Sequence, residues 1–290
     1  MMGEMVLKNE MFLELLDCND DRLSDFVSVI ELLKNLSYRV ILSEDLLEEI
    51  YELLYKKCKT NEDIKILSRL FDKMFSYLQS SDFEQHSEDI GKLLKEESNS
   101  LKDVLDKDGY FDHNIVKIGY MLNVGAGLRN VSGIEELRKV LLIFSKRVDN
   151  IKDFVTELRI ILSEIIFDED IEKSIEELND GFAVRKGEII FHLYCIQKEI
   201  PKIIEQNITD YQNIGDSMSL DCSPERDREI VKKHLTKQIS GNNINCELHT
   251  KMRRISNKAP DRIYFCPCVP NGNGEDILGK ILIYKITKHV

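Results

Sequence analysis

Proline is missing from the first 200 residues of this 290-residue chain. All five prolines (201, 224, 260, 267, 270) lie beyond that point, and only Gly3 and Gly91 interrupt the first 108 residues. Proline and glycine are the residues least tolerated inside helices, so their scarcity favours helix through the first two-thirds. Long apolar runs are missing as well. The densest, Val140–Phe144, is five residues long between Lys139 and Lys146, whereas a membrane span takes about 20. Residues 1–10 contain no apolar signal region. The seven cysteines (18, 58, 195, 222, 246, 266, 268) are odd in number and show no small-scaffold spacing, which fits reduced thiols. A cytoplasmic protein without membrane contact is expected. With 42% hydrophobic and 32% charged residues, the chain has enough apolar material for a core and does not read as disordered.

What is present is unevenly charged. Residues 223–290 hold 13 Lys and Arg against 7 Asp and Glu, a balance of +6. The whole chain carries −12, so residues 1–222 carry −18. An acidic body argues against a nucleic-acid cradle along the entire protein, and a basic tail permits one locally.

Apolar spacing predicts helices through Leu23–Leu33, Leu46–Leu54 (after Ser43), Ile64–Leu78 (after Thr60), Ile134–Phe144 behind the capping box Ser132-x-x-Glu135, and Ile151–Ile165. A long helix is expected over 186–206, kinked or broken at Pro201. Residues 207–222 are polar and read as a linker. Ser223-Pro224-Glu225 reads as a helix start running to about Ile239. Three strand-like runs follow, over 245–253, 261–269 and 280–289. The expectation is a mainly α protein: a helical body over 1–206, a linker over 207–222, and a small α+β module over 223–290 with a three-stranded antiparallel sheet.

Chemistry concentrates in that last module. Strand side chains alternate, so Glu247, His249, Lys251 and Arg253 are expected on one face and Leu248 and Met252 on the other. Arg262 and Tyr264 alternate with Ile263 and Phe265 and extend the polar face. A solvated outer sheet face explains this pattern, and so does a phosphodiester site. Metal-free RNA cleavage needs a base for the 2′-hydroxyl, an acid for the leaving oxygen and cations for the charge gained. Glu247 or His249 is the candidate base and Tyr264 or His249 the candidate acid, with Lys251 among the catalytic cations. Arg253, Arg254, Arg262, Lys285 and Lys288 are the candidate nucleic-acid contacts. No cofactor is expected.

The order helix, Cys246-Glu-Leu-His-Thr-Lys251, Asp261-Arg-Ile-Tyr-Phe265 and Gly279-Lys-Ile-Leu-Ile-Tyr-Lys-Ile-Thr-Lys-His289 resembles the strand arrangement of RelE/ParE-type toxins. The resemblance covers about 65 residues of the chain. It implies a compact sheet that presents basic and tyrosine side chains to RNA on the ribosome. It rests on Arg262, Tyr264, Lys285 and Lys288, and the first strand departs from it by carrying Glu-Leu-His-Thr-Lys. A helical body with a basic α+β tail also resembles accessory proteins of bacterial phage-defence systems, which implies a protein partner on the helical body and RNA or DNA at the tail. A non-enzymatic interaction subunit is the competing reading.

Three further patterns bear on metal or phosphate binding. Cys246-x-x-His249 with Cys266-x-Cys268 contains zinc-ligand types, but a three-residue spacing puts Cys246 and His249 on opposite faces of a regular strand. Met5–Leu13 followed by Val40–Glu48 is similar to the opening of PIN-domain nucleases, with Glu48 in an acidic position. Lys8 stands where that family carries an Asp, and an ammonium there repels a divalent cation. Asn123-Val-Gly-Ala-Gly-Leu-Arg129 has two glycines of a phosphate loop but no third, and a bend between helices accounts for it.

Overall fold

The computed structural model describes residues 4–7, 20–37, 39–43, 52, 56, 75–78, 115–118, 130–131, 134–146, 148–270 and 277–290. The chain divides into two compact units, Met1–Phe144 and Ser145–Val290.

The first unit is built on a parallel sheet. Strands β1 (Glu4–Leu7), β2 (Arg39–Ser43), β3 (Phe75–Leu78), β4 (Ile115–Ile118) and β5 (Asn130–Val131) lie in the order β3-β2-β1-β4-β5. Every neighbouring pair is parallel. Parallel neighbours need a crossover, and α1 (Asp20–Asn35) supplies it between β1 and β2. Val29, Ile30 and Leu33 of α1 are buried. The helix ends where Ser37 takes a left-handed φ of 58°, with the Ser37 N–H bonded to Lys34 O at 3.0 Å. Helix α2 (Ile134–Ser145) buries Leu137, Leu141 and Leu142.

This sheet corrects the expectation of a helical body. Of the two runs that resemble the PIN opening, Met5–Leu7 lies in β1 and Val40–Ser43 in β2, and residues 75–78, expected at the end of a helix, form β3. Short apolar runs of a buried parallel strand look like buried helix segments, and periodicity alone does not separate them. Lys8, Glu48 and the Asn123–Arg129 pattern lie outside the described residues, as does most of the helix expected over 46–54.

The second unit is a mixed sheet covered by helices. Helix α3 (Ile151–Ile161) starts where Asn150 Oδ1 accepts the Asp153 N–H at 3.1 Å, and it buries Phe154, Val155 and Leu158. Strand β6 (Ile165–Phe167) and helix α4 (Ile171–Glu176) follow. Helix α5 (Phe182–Glu205) runs through Pro201 without ending. Residues 207–222 hold α6 (Tyr211–Ser217) and enter β7 (Cys222–Pro224), so this segment is part of the unit. Helix α7 is short, Arg228–His234, and its cap is Asp227 in place of the expected Ser223. Asp227 Oδ1 accepts the N–H groups of Glu229 at 2.9 Å and Ile230 at 3.3 Å. Pro224 lies instead on an edge strand, where its missing N–H costs no ladder bond.

The expected three antiparallel strands are β10 (Leu248–Lys251), β11 (Arg262–Cys266) and β12 (Ile281–Thr287). They form the middle of a five-stranded sheet ordered β6-β12-β11-β10-β7. Strand β6 joins β12 in parallel and β7 joins β10 antiparallel, so the sheet is mixed and recruits residues 165–167 from far upstream. A separate ribbon pairs β8 (Thr236–Ile239) with β9 (Asn242–Asn245). Its turn places Ser240 at φ 50° and Gly241 at φ 83°, two left-handed residues as a tight hairpin requires. The protein is therefore not mainly α with a three-stranded sheet. Among the described residues, no helix is long and apolar enough to cross a membrane.

Candidate functional site

Register brings the expected residues into two adjacent rows. His249 lies opposite Tyr264, and Lys251 opposite Arg262. Tyr264 in turn faces Lys285, and Arg262 faces Thr287. The β11–β12 register shifts between Tyr264 and Phe265, an irregularity of the kind that re-aims side chains beside functional sites. Glu247 and Arg253 fall just outside the β10 strand at either end.

The expected open face is covered. On one side of the sheet Thr250 meets α5, its Oγ1 2.9 Å from His192 Nδ1. On the other, Tyr264 packs with Val231 and Leu235, with Ile230 and Val290 beside them. His249 is 2% exposed and Tyr264 0%. An antiparallel sheet can leave one face to water; here the short α7 and the chain after β12 close it.

Beneath that cover, Arg262 is the hub. Its Nη1 donates to Glu225 Oε2 at 3.1 Å and to Tyr264 Oη at 3.2 Å. Glu225 Oε1 accepts the N–H groups of Arg226 and Asp227. Burial works against the Glu225 charge, but these N–H groups and the Arg262 guanidinium hold its carboxyl below the usual range. His289 Nε2 lies 3.7 Å from Glu225 Oε2. The His249 ring packs against Tyr264 with centroids 5.0 Å apart. Its Nδ1 is 3.2 Å from the carbonyl of Glu247. A carbonyl only accepts, so Nδ1 carries the proton and Nε2 presents a lone pair.

That lone pair meets no donor among the described residues. His249 Nε2 and Arg262 Nε are both buried there without a hydrogen-bond partner. Burial, then the neighbouring guanidinium, pushes the His249 pKa down to about 4, so the imidazole is neutral at pH 7. An unsatisfied acceptor and an unsatisfied donor thus stand on paired strands. Leaving either unmade costs about 1–3 kcal/mol.

The remaining candidates are differently placed. Glu247 is buried and paired with Arg228 at 2.9 Å, which removes it as a free base. Lys251 Nζ sits 2.9 Å from Asp221. Lys285 Nζ donates to His234 O at 3.0 Å, and Lys288 is 3.9 Å from Glu177. Tyr264 is pushed up in pKa by burial and sits as a wedge between Arg262 and the cover.

Arg253 and Arg254 belong to a different place, the exposed loop between β10 and β11. Its base is clamped. Arg185 of α5, 1% exposed, reaches Asp261 Oδ2 at 2.9 Å, Asp180 Oδ2 at 2.6 Å, Glu188 and the Arg253 carbonyl at 2.8 Å. Asn179 Nδ2 holds Ala259 O at 3.0 Å. The Arg254 guanidinium braces the loop through Ser256 O at 3.2 Å and Asn257 O at 2.8 Å. Among the described residues, no carboxylate pairs with the side chains of Arg253, Arg254 or Lys258. Ile255 at the loop is an exposed apolar side chain.

The zinc pattern does not assemble. Cys246 and Cys266 pack among Ile244, Val269 and Leu282, with their thiols pushed up in pKa by burial. Among the described residues, no group of three His, Cys, Asp or Glu is placed to hold a metal. Sequence reading missed Glu225, His289 and Lys258. Glu225 looked like a first-turn acid, and nothing local ties it to Arg262. His289 lay at the end of the last strand-like run, and its position beside Glu225 is a tertiary fact. No protein-family model, curated protein or solved structure matches this chain.

Proposed function

We propose that the second unit binds RNA through the Arg253–Pro260 loop and cleaves its backbone at the His249–Arg262 cluster. The observation that carries this reading is the unmatched pair of buried atoms. A ribose 2′-hydroxyl is a donor for His249 Nε2, and an adjacent phosphate oxygen is an acceptor for Arg262 Nε. His249 removes the 2′ proton, and Arg262 stabilises the charge that develops on phosphorus oxygens. The products are a 2′,3′-cyclic phosphate and a 5′-hydroxyl. RNA reaches the cluster only when the cover formed by Val290 and the neighbouring α7 side chains moves, and catalytic contacts of this kind tighten once substrate is bound. In this reading the protein serves a bacterial defence or toxin-like system in the cytoplasm, with a protein partner engaged by its amino-terminal part.

The test is cleavage of a single-stranded RNA by the full chain in the presence of a chelator, with the new ends identified chemically. His249→Gln is expected to lower the rate by about 10²–10⁴-fold while leaving RNA affinity nearly unchanged. Cyclic-phosphate ends lost in the variant support the reading; an equal rate in the variant overturns it. The burial of His249 favours a second reading, a non-enzymatic subunit that binds nucleic acid while a partner performs catalysis. RNA binding by the full chain without any cleavage would select it.

A further inference from the structure

The leaving 5′-oxygen needs a proton, and the cluster holds few groups able to give one. Tyr264 is fully buried, and its hydroxyl is already engaged by Arg262 Nη1 at 3.2 Å and by the Val290 N–H at 3.5 Å. Lys251, Lys285 and Lys288 are directed to Asp221, His234 O and Glu177. His289 is different. Its side chain is 36% exposed, and its Nε2 approaches the Glu225 oxygen that also accepts from Arg262. We infer that His289 is the general acid of the cleavage proposed above, with Glu225 as its positioning residue and Tyr264 as a support for Arg262.

The inference rests on that reading of His249. Two imidazoles flank one guanidinium and one carboxylate, and they differ in surroundings. His249 is enclosed and has no carboxylate in hydrogen-bond contact, an arrangement suited to a neutral base. His289 is more open to solvent, which can reload it with a proton, and it adjoins Glu225. Burial and Arg262 hold the His289 pKa below its ordinary value, and Glu225 and the Val290 main chain offset them only in part. The titratable and charged groups acting on this pair are Glu225 from the β7–α7 stretch, Lys251 from β10, and Arg262 and Tyr264 from β11. In the reaction the 2′-oxygen bonds to phosphorus as its proton passes to His249 Nε2. The P–O5′ bond breaks, and the His289 imidazolium gives its proton to O5′. Solvent then resets both imidazoles.

A substrate with sulfur in place of the bridging 5′-oxygen tests this directly, because a thiolate leaves without protonation. The full chain is assayed on an RNA oligonucleotide and on its 5′-phosphorothiolate counterpart. His289→Asn is expected to slow the ordinary RNA by about 10²–10⁴-fold and to cleave the sulfur substrate within about tenfold of the parent. His249→Gln is expected to stay slow on both, and Tyr264→Phe to show no selective rescue by sulfur. Equal losses for His289→Asn on both substrates, no loss on either, or sulfur rescue of Tyr264→Phe would overturn the assignment while leaving the cleavage reading standing. No cleavage of either substrate by the parent chain would remove the cleavage reading and this inference together. Thermal melting of each variant checks that the cluster's packing is retained.

Discussion

The sheet cluster and the β10–β11 loop hold the same residue types and treat them in opposite ways. In the cluster, Arg262, Lys251 and Arg228 each meet a carboxylate, on Glu225, Asp221 and Glu247. In the loop, Arg253, Arg254 and Lys258 meet none among the described residues, and the buried Arg185 is spent on holding the loop's base. A polar face of a small sheet can therefore be electrostatically closed while a loop a few residues away is left open to an anionic partner. Long-range attraction of RNA follows unpaired exposed charge, so in the proposed function the loop takes the docking role. Proton transfer follows desolvated, unsatisfied groups, so the same proposal gives the reacting role to the cluster.

The comparison breaks most severely if the loop's anchor fails. Arg185→Ala leaves Asp261 buried with no guanidinium and frees the loop base. We expect a loss on the order of 3–5 kcal/mol in unfolding by urea, together with protease cleavage in residues 253–260. A small change in both would mean that the loop is held by other contacts.

Acid separates the two regions next. The neutral state of His249 is preferred in the fold, and its pKa falls to about 4 from an ordinary 6.5. The unfolded chain therefore binds the proton first as pH drops. This stabilising contribution is complete above pH 6.5 and fades between pH 6.5 and 4, a loss on the order of 3 kcal/mol. His249→Gln should flatten that part of the stability–pH curve, as read from urea midpoints at pH 7 and 4.5. An unchanged slope in the variant would place the acid sensitivity elsewhere.

The smallest effect on stability, and the sharpest on binding, is expected from the loop cations. Replacing Arg253, Arg254 and Lys258 together with Ala should reduce the salt dependence of RNA binding by about 2 in the log–log slope, at about 0.7 per phosphate contact on single strands. The melting temperature should barely move. Lys251→Ala, which breaks one half-exposed ion pair worth about 0–1 kcal/mol, should leave the slope nearly unaltered. Equal slopes for the two variants would erase the distinction between face and loop.

The cluster was partly legible in the sequence. The alternation His249, Lys251 and Arg262, Tyr264 is a local property of extended chain, and the ladder places those residues as neighbours. Their exposure was not legible, because it depends on Val231, Leu235 and Val290 arriving from elsewhere. The base role of Glu247 failed for the same reason, through Arg228. Ser223 and Pro224 had the chemistry of a helix start, but the strand beside Leu248–Thr250 competed for them, and Asp227 took over as cap. In the first unit, Met5–Leu7 and Val40–Leu42 were visible as apolar runs of strand length, yet four-residue parallel strands carry too little period to be told from helix.

By itself the sequence determined the uneven charge, the absence of a long apolar helix, the three central strands of the second sheet and the alternation of their ionic side chains. Each is a property of composition or of a few adjacent residues. Only the tertiary structure decided that residues 165–167 complete that sheet, that Glu225 and His289 join Arg262, and that His249 Nε2 and Arg262 Nε find no partner among the described residues. Burial and pairing arise between segments far apart in the chain, and no local pattern encodes which distant carboxylate will neutralise which cation.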